Sequence, residues 1–135
     1  MEEIKLKAVK ENIPRVTAFV DAELEAMDCP VPAQMQMDIA IDEVFVNISN
    51  YAYTPETGDA LVTVDYDAEE RAVKLEFRDW GKPFDPVSHK DPDVKAPLDE
   101  RQIGGLGIFL VKKIMDEVSY RREDGQNVLT LRKKI

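Results

Sequence analysis

Three separated stretches of the chain hold residue types that could together bind and activate a charged small molecule. Glu43 and Asn47 lie four residues apart, Asp79 and Gly81 follow a run of alternating apolar residues, and a glycine-rich stretch at 104–107 precedes another apolar run. Carboxylates, a carboxamide and flexible backbone are the groups that hold metal ions, bases and phosphates. Each stretch is therefore a candidate site.

Glu43 and Asn47 are expected on one arc of a helix, together with Asn50, because successive helical residues rotate by roughly 100°. The apolar stripe is predicted to lie on the other side. Asparagine is a poor helix former, so two of them within a helix invite a functional explanation. The Glu43 carboxylate could orient a water while the Asn47 amide oxygen coordinates a divalent cation. The alternative is the ordinary polar face of an amphipathic helix.

Asp79 and Gly81 are predicted at the end of a strand, within the motif Asp-Trp-Gly-Lys-Pro-Phe. A buried carboxylate at Asp79 could accept a hydrogen bond from an exocyclic amine. Gly81 would let the backbone approach a flat ring closely. The alternative is that aspartate and glycine form a simple turn, although the motif is longer than a turn requires.

The stretch Gly104-Gly105-Leu106-Gly107 is predicted to open a helix. Glycines before a helix let backbone N–H groups reach phosphates, and the positive helix end favours an anion. This stretch has neither the Lys-Ser/Thr ending of a P-loop nor the spacing of a dinucleotide motif. By itself it could also be a flexible join.

The elements that must position these residues follow from hydrophobic periodicity and turn signals. We predict a first strand around Ile4, Leu6 and Ala8, and then helices at 13–27 and 33–53. Strands at 61–66 and 72–77 form a hairpin. A glycine-led helix at 104–115 and a hairpin of 117–122 with 127–133, turning at Asp124-Gly125, close the chain. Residues 82–103 contain four prolines and no apolar periodicity, which predicts a long loop of the kind that often binds ligands.

Length and composition limit the possibilities. A chain of 135 residues fits one compact domain, and its formal charge of −9 disfavours direct nucleic-acid binding. There is no basic-then-apolar leader and no long apolar run, so we expect neither secretion nor a membrane. The single cysteine, Cys29, cannot form an internal disulfide, which favours a reducing, cytoplasmic setting.

Taken in order, the motifs Glu43-x-x-x-Asn47, Asp79-x-Gly81 and Gly104-Gly105-x-Gly107 resemble those of the GHKL ATPase superfamily, which includes the ATP domains of gyrases and histidine kinases. In its length and in the residues of these motifs, the sequence looks most like the anti-sigma-factor serine kinases of bacterial partner-switching systems. The resemblance covers nearly the whole chain. It implies an α+β two-layer sandwich over 1–135, with a mixed, mainly antiparallel sheet covered on one face by helices.

The resemblance also implies a role for each candidate residue. Asn47 would be the Mg²⁺ ligand and Glu43 the catalytic base. Asp79 would bind the adenine amine of ATP and Gly81 would let adenine lie flat. The stretch from Gly104 through Gly105 and Leu106 to Gly107 would wrap the phosphates, with 82–103 as the ATP lid. The γ-phosphoryl group would pass to a serine or threonine of an anti-anti-sigma protein, and the kinase, as a homodimer, would also sequester a sigma factor.

Two departures from the family pattern stand out. Tyr51 occupies a position where many relatives have histidine, and the last strand lacks the threonine that often follows the glycine of that hairpin. Asn127 or Thr130 is expected to support adenine instead. Two other functions stay open. One is a regulatory module that binds nucleotide without efficient phosphoryl transfer. The other, less favoured, is a detached histidine-kinase domain, whose only histidine, His89, would lie within the lid.

Overall fold

The computed structural model describes residues 1–87 and 105–135 as an α+β fold with helices on one face of a sheet. The elements in chain order are β1 (Glu2–Lys7), a 3-10 turn (Lys10–Asn12), α1 (Ile13–Ala26), α2 (Val31–Tyr51), β2 (Asp59–Asp67), β3 (Ala72–Asp79), α3 (Gly105–Ile114), β4 (Glu117–Glu123) and β5 (Gln126–Lys134). Most of the predicted lid, together with Gly104 and His89, lies outside the described residues. No helix in the described ranges has the length and apolar character needed to cross a membrane.

The sheet has five strands in the order β1-β2-β3-β5-β4, with β3 at its centre. The predicted fold class is confirmed, and every strand pairing within residues 1–87 and 105–135 is antiparallel. Both predicted hairpins form. The β4–β5 hairpin turns at Asp124 and Gly125, whose φ angles of 51° and 77° are those a tight two-residue hairpin requires.

The core lies between the sheet and the helices, because alternate residues of each strand point to the same face. From β3 and β5 the buried residues on this face include Leu75, Phe77, Leu129 and Leu131. They meet the apolar sides of the helices, which include Val20, Leu24, Ile41, Phe45 and Val111. Burying a side chain of this size stabilises the fold by about 1.5–3 kcal/mol. The core therefore fixes how α2 lies across the sheet.

Helix α2 begins earlier than the sequence pattern predicts. Pro30 and Pro32 are expected to end the preceding unit, but Pro32 lies in the first turn of α2, which starts at Val31. Proline is accepted there because the first N–H groups of a helix have no acceptor within it. The prediction of residue 33 as the start is corrected by two positions.

The C-terminal end of α2 is joined to the end of β3. The Lys82 amide donates to the Ala52 carbonyl at 3.0 Å. The Trp80 amide donates to the Tyr53 hydroxyl at 2.8 Å, and that hydroxyl donates to the Asp59 carbonyl at 2.6 Å. These bonds place the Asp79 end of β3 beside the last turns of the asparagine-bearing helix.

Candidate functional site

A cavity opens between α2, α3 and the adjoining ends of β3 and β5. Its wall is largely apolar and aromatic. The aliphatic part consists of Val44, Ile48, Ala52, Pro86, Ile108 and Leu129. The aromatic part consists of Tyr51, Phe77, Phe84 and Tyr120, and the Tyr51 and Phe84 rings stack with their centroids 5.5 Å apart. Three buried polar side chains complete the lining, those of Asn47, Asp79 and Asn127. A cavity with a flat apolar wall and a few convergent polar groups is typical of a small-molecule site.

Asn47 lies in this wall and is 8% exposed. The prediction that the polar arc of the helix faces away from its apolar stripe is therefore wrong for Asn47, which lines the same cavity as Val44 and Ile48. The physical reason is that the cavity lies over this part of the helix, and its other elements screen the amide from solvent. An amide in such a position is expected to have a partner, because burying an unpaired polar group is costly.

Glu43 lies one helical turn before Asn47 and beside the start of α3. A Cβ atom on Gly107 would meet Oε2 of Glu43, so the carboxylate lies directly against the backbone of α3 at this position. Burial, and secondarily the charge of Asp42, raises the pKa of the Glu43 carboxyl above its ordinary value. Gly105 begins α3 and Leu106 follows it in the first turn. The structure thus brings Glu43, Asn47 and the start of α3 together.

Asp79 is 5% exposed and opens into the same cavity as Asn47. Its Oδ1 accepts hydrogen bonds from the Gly81 amide at 3.0 Å and from Asn127 Nδ2 at 2.8 Å. Burial raises the pKa of the Asp79 carboxyl, and the two hydrogen bonds and the charge of Arg122 oppose that rise. Both bonds use Oδ1, so Oδ2 is the atom left to accept from a ligand.

Gly81 has a packing reason for being glycine. A Cβ atom there would collide with the carbonyl of Ala52 at the end of α2. The close approach that the sequence predicts at Gly81 is therefore made by protein backbone. Contact of Gly81 with a flat ring remains a prediction.

Thr130 is not brought to the site. Side chains alternate along β5, so Asn127 and Leu129 share the cavity face while Thr130 points to the opposite face of the sheet, opposite Glu76 and Ser119 in the neighbouring strands. Placing Thr130 at the site is therefore a mistake of strand parity. Of the two alternatives raised for adenine support, only Asn127 lies at the cavity.

Asn127 lies directly opposite Asp79 in β3 and opposite Arg122 in β4. Its Nδ2 donates to Asp79 Oδ1 and to the Lys82 carbonyl, each at 2.8 Å. Its Oδ1 accepts from the Tyr120 hydroxyl at 2.6 Å, Arg122 Nη1 at 3.2 Å and the Phe84 amide at 3.3 Å. Sequence reasoning missed Tyr120 and Arg122, whose nearness to Asn127 depends on the β4–β5 register.

The described residues supply only some of the ligands that a divalent cation needs. Among residues 1–87 and 105–135 no group of three or more His, Cys, Asp or Glu side chains is arranged to bind a metal. The Asn47 amide oxygen is a suitable hard ligand, and Mg²⁺ is commonly held by one or two protein oxygens plus substrate phosphates. The residues present therefore fit Mg²⁺ that arrives with a phosphate ligand.

A family profile and individual related proteins point to the same family for this chain. The sequence profile of the histidine kinase-like ATPase domain matches residues 6–133. The chain is 35% identical over 95 residues to the serine/threonine-protein kinase BtrW of Bordetella bronchiseptica, a match that covers 70% of this chain and 66% of that protein.

Two further relatives carry the name serine-protein kinase RsbW. The protein from Bacillus cereus is 26% identical over 131 residues, covering 94% of this chain and 81% of the relative. The one from Staphylococcus aureus is 29% identical over 94 residues, covering 67% of this chain and 59% of the relative. The match thus spans two thirds or less of the Bordetella and Staphylococcus proteins.

Proposed function

The chain belongs to the histidine kinase-like ATPase domain family, and on that premise we propose that it is a Mg·ATP-dependent protein serine/threonine kinase. The observation that carries the proposal is that Asn47 and Asp79, which are 32 positions apart in sequence, open into one cavity. Relatives named as serine or serine/threonine kinases support the choice of reaction. The substrate would be a hydroxyl group on another protein.

The base of ATP would enter the apolar part of the cavity. Phe77 and Leu129 offer apolar surface, and the stacked Tyr51–Phe84 pair lines the same cavity. Asp79 Oδ2 would accept a hydrogen bond from the exocyclic amine of adenine, because Oδ1 already accepts from two donors. A buried carboxylate is selective in this role, since a base that presents a carbonyl there would leave it unpaired.

The phosphates would extend toward Asn47 and the start of α3. Asn47 would hold Mg²⁺ through its amide oxygen, and bound Mg²⁺ would neutralise charge on the phosphate oxygens. The Gly105–Gly107 backbone lies at a helix N-terminus, which favours an anion. Because Asn47 alone is a weak metal site, Mg²⁺ should bind only together with nucleotide.

Glu43 would accept the proton of the attacking hydroxyl group. Its raised pKa makes the carboxylate a stronger base than an exposed glutamate. Its position beside Gly107 puts it at the phosphate end of the proposed site. Loss of the carboxylate should therefore affect transfer more than binding.

The proposed partners are a sigma factor, which the kinase sequesters, and an anti-anti-sigma protein, which it phosphorylates. We also propose a homodimer. These proposals rest on the resemblance of the sequence to anti-sigma-factor kinases. The proposed setting is the reducing cytoplasm, because a chain with a single cysteine cannot form an internal disulfide.

The test is transfer of label from γ-labelled ATP to candidate antagonist proteins encoded in the same genome. Wild type should label a serine or threonine, and Glu43→Gln should bind Mg·ATP with similar affinity while losing at least about 100-fold in transfer. An exposed glutamate of α1, Glu25, supplies the matched control Glu25→Gln, which should retain transfer. Undiminished transfer by Glu43→Gln would refute the assignment of the base. A wild type that binds Mg·ATP but labels nothing would instead favour the non-catalytic regulatory module.

A further inference from the structure

The hydrogen bonds of Asn127 leave its amide with no capacity for a ligand. A carboxamide offers two N–H donors and one oxygen with two acceptor sites. Both donors are used, one by Asp79 Oδ1 and one by the Lys82 carbonyl. The oxygen already receives three donors, from Tyr120, Arg122 and Phe84. Asn127 therefore lines the cavity without a free polar atom to offer a base.

The same bonds fix the orientation of the amide. If the oxygen and nitrogen were exchanged, the NH₂ group would face the Arg122 guanidinium and the Phe84 amide, which are both donors, and the oxygen would face the Asp79 carboxylate and the Lys82 carbonyl, which are both acceptors. Each contact would become unfavourable. The network thus admits one orientation, in which Nδ2 points at Asp79.

Asn127 also joins the carboxylate to the backbone that follows β3. Residues 81–84 are held to it through the Lys82 carbonyl and the Phe84 amide, and Arg122 Nη1 adds a bond to the Gly81 carbonyl at 2.9 Å. The Gly81 amide in turn donates to Asp79. One side chain of β5 therefore sets both the rotamer of Asp79 and the path of the chain directly after it.

From this we propose that Asn127 is a positioning residue. Locked by Tyr120 and Arg122, it holds Asp79 so that Oδ2 alone faces the base, and it thereby selects nucleotides with an exocyclic amine without touching the base itself. The inference deepens the proposed function and rests on it. It assigns Tyr120 and Arg122 a part in base selection that acts through Asn127.

The first experiment compares dissociation constants for ATP and for inosine triphosphate, which carries a carbonyl where adenine carries its amine. Wild type should prefer ATP by about ten- to hundredfold, the range for one charged, buried hydrogen bond. Tyr120→Phe keeps the ring and removes one donor to Asn127, so it should lower the ATP preference by about two- to tenfold. Asn127→Ala should lower it further. Ser119→Ala, on the opposite face of the same strand as Tyr120, is the control and should retain the wild-type preference.

The second experiment separates positioning from direct contact and needs no nucleotide. Amide hydrogen exchange at Gly81 and Phe84 should be faster in Asn127→Ala than in wild type, while the amide of Phe77 within β3 serves as the internal reference. A residue that only contacts the base would leave these amides unchanged. Faster exchange at Phe77 as well would show that Asn127→Ala destabilises the whole sheet. The comparison is then made with Tyr120→Phe, and unchanged exchange at Gly81 and Phe84 in that variant would overturn the positioning role.

The outcomes distinguish this inference from the proposed function. If wild type binds neither nucleotide, the proposed function fails, while the exchange experiment still decides whether Asn127 positions residues 81–84. If wild type prefers ATP and that preference survives in both Tyr120→Phe and Asn127→Ala, the positioning role is overturned and the ATP site stands. A nucleotide complex with an Asn127 atom hydrogen-bonded to the base would also overturn it.

Discussion

Replacing Asp79 by asparagine changes one carboxylate oxygen in the cavity wall to an NH₂ group, with little change in the shape of the side chain. The substituted side chain must still accept hydrogen bonds from the Gly81 amide and from Asn127 Nδ2, so its amide oxygen is expected to take the position of Oδ1. Its NH₂ group then occupies the position of Oδ2. The group that faces the base changes from an acceptor to a donor.

The size of the effect on binding follows from that exchange. ATP loses a charge-assisted hydrogen bond of about 1.5–3 kcal/mol and meets a donor opposite its amine, so its affinity should fall by at least about 10- to 150-fold. Inosine triphosphate presents a carbonyl oxygen to the new NH₂ group, so its affinity should rise or stay level. The preference between the two nucleotides should therefore be reversed or abolished.

Stability should change in the other direction. Burial raises the pKa of Asp79, which means that the ionised form costs more in the folded protein than in the unfolded chain. The stabilising contribution of this group is present at low pH and is lost as pH rises through the raised folded-state pKa. Asp79→Asn removes the cost, so the variant should be at least as stable as wild type in urea at pH 8, with an advantage that shrinks toward acid pH.

Calorimetric titration with both nucleotides and urea denaturation at two pH values measure these effects together. Equal ATP affinity in wild type and Asp79→Asn would refute the assignment of the base site. A variant that loses both nucleotides and also loses stability would show that Asp79 supports the fold and that base recognition lies elsewhere.

Three further predictions test other parts of the structure. Asn47→Ala should abolish the Mg²⁺ dependence of ATP binding, measured by titration with and without a chelator, and unchanged Mg²⁺ dependence would exclude Asn47 as the ligand. Burial, with Asp21 as hydrogen-bond partner and like charge, raises the pKa of Asp38 from 3.8 to about 7. Wild-type stability should therefore fall as pH rises from about 4 through about 7, by roughly 1 kcal/mol after solvent screening, whereas Asp38→Asn should lack this fall in urea titrations at pH 5 and pH 8. Gly81→Ala should destabilise the protein by about 1–3 kcal/mol, because its Cβ atom meets the Ala52 carbonyl, and a wild-type midpoint in urea would contradict that packing.

The helices and strands could be predicted because the spacing of their apolar residues follows from the burial of one face of each element. The alternation in β3 and the helical spacing in α2 each reflect burial of a single face, and both elements form as expected. The start of α2 was missed because Pro32 ends a helix in most contexts but is accepted in a first turn. That distinction depends on how the preceding chain packs.

The sequence predicts only those site residues whose types are uncommon at their positions in a helix or strand. Asn47 in a helix and Asp79 after a strand are both of this kind, and both reach the cavity. The alternation in β5 excludes Thr130 from the site, since Leu129 and Leu131 mark the core-facing positions and Asn127, not Thr130, shares their side of the strand. Tyr120 could not have been found, because its contact with Asn127 depends on the register of two strands and on rotamers.

The central claim is that one nucleotide is held at once by Asn47 and Asp79. A crystal structure with Mg²⁺ and a non-hydrolysable ATP analogue tests it most directly. We expect the adenine amine of the analogue within hydrogen-bond distance of Asp79 Oδ2 and the Mg²⁺ bound to its phosphates on the Asn47 amide oxygen. A nucleotide whose base or metal lies away from either residue would contradict it.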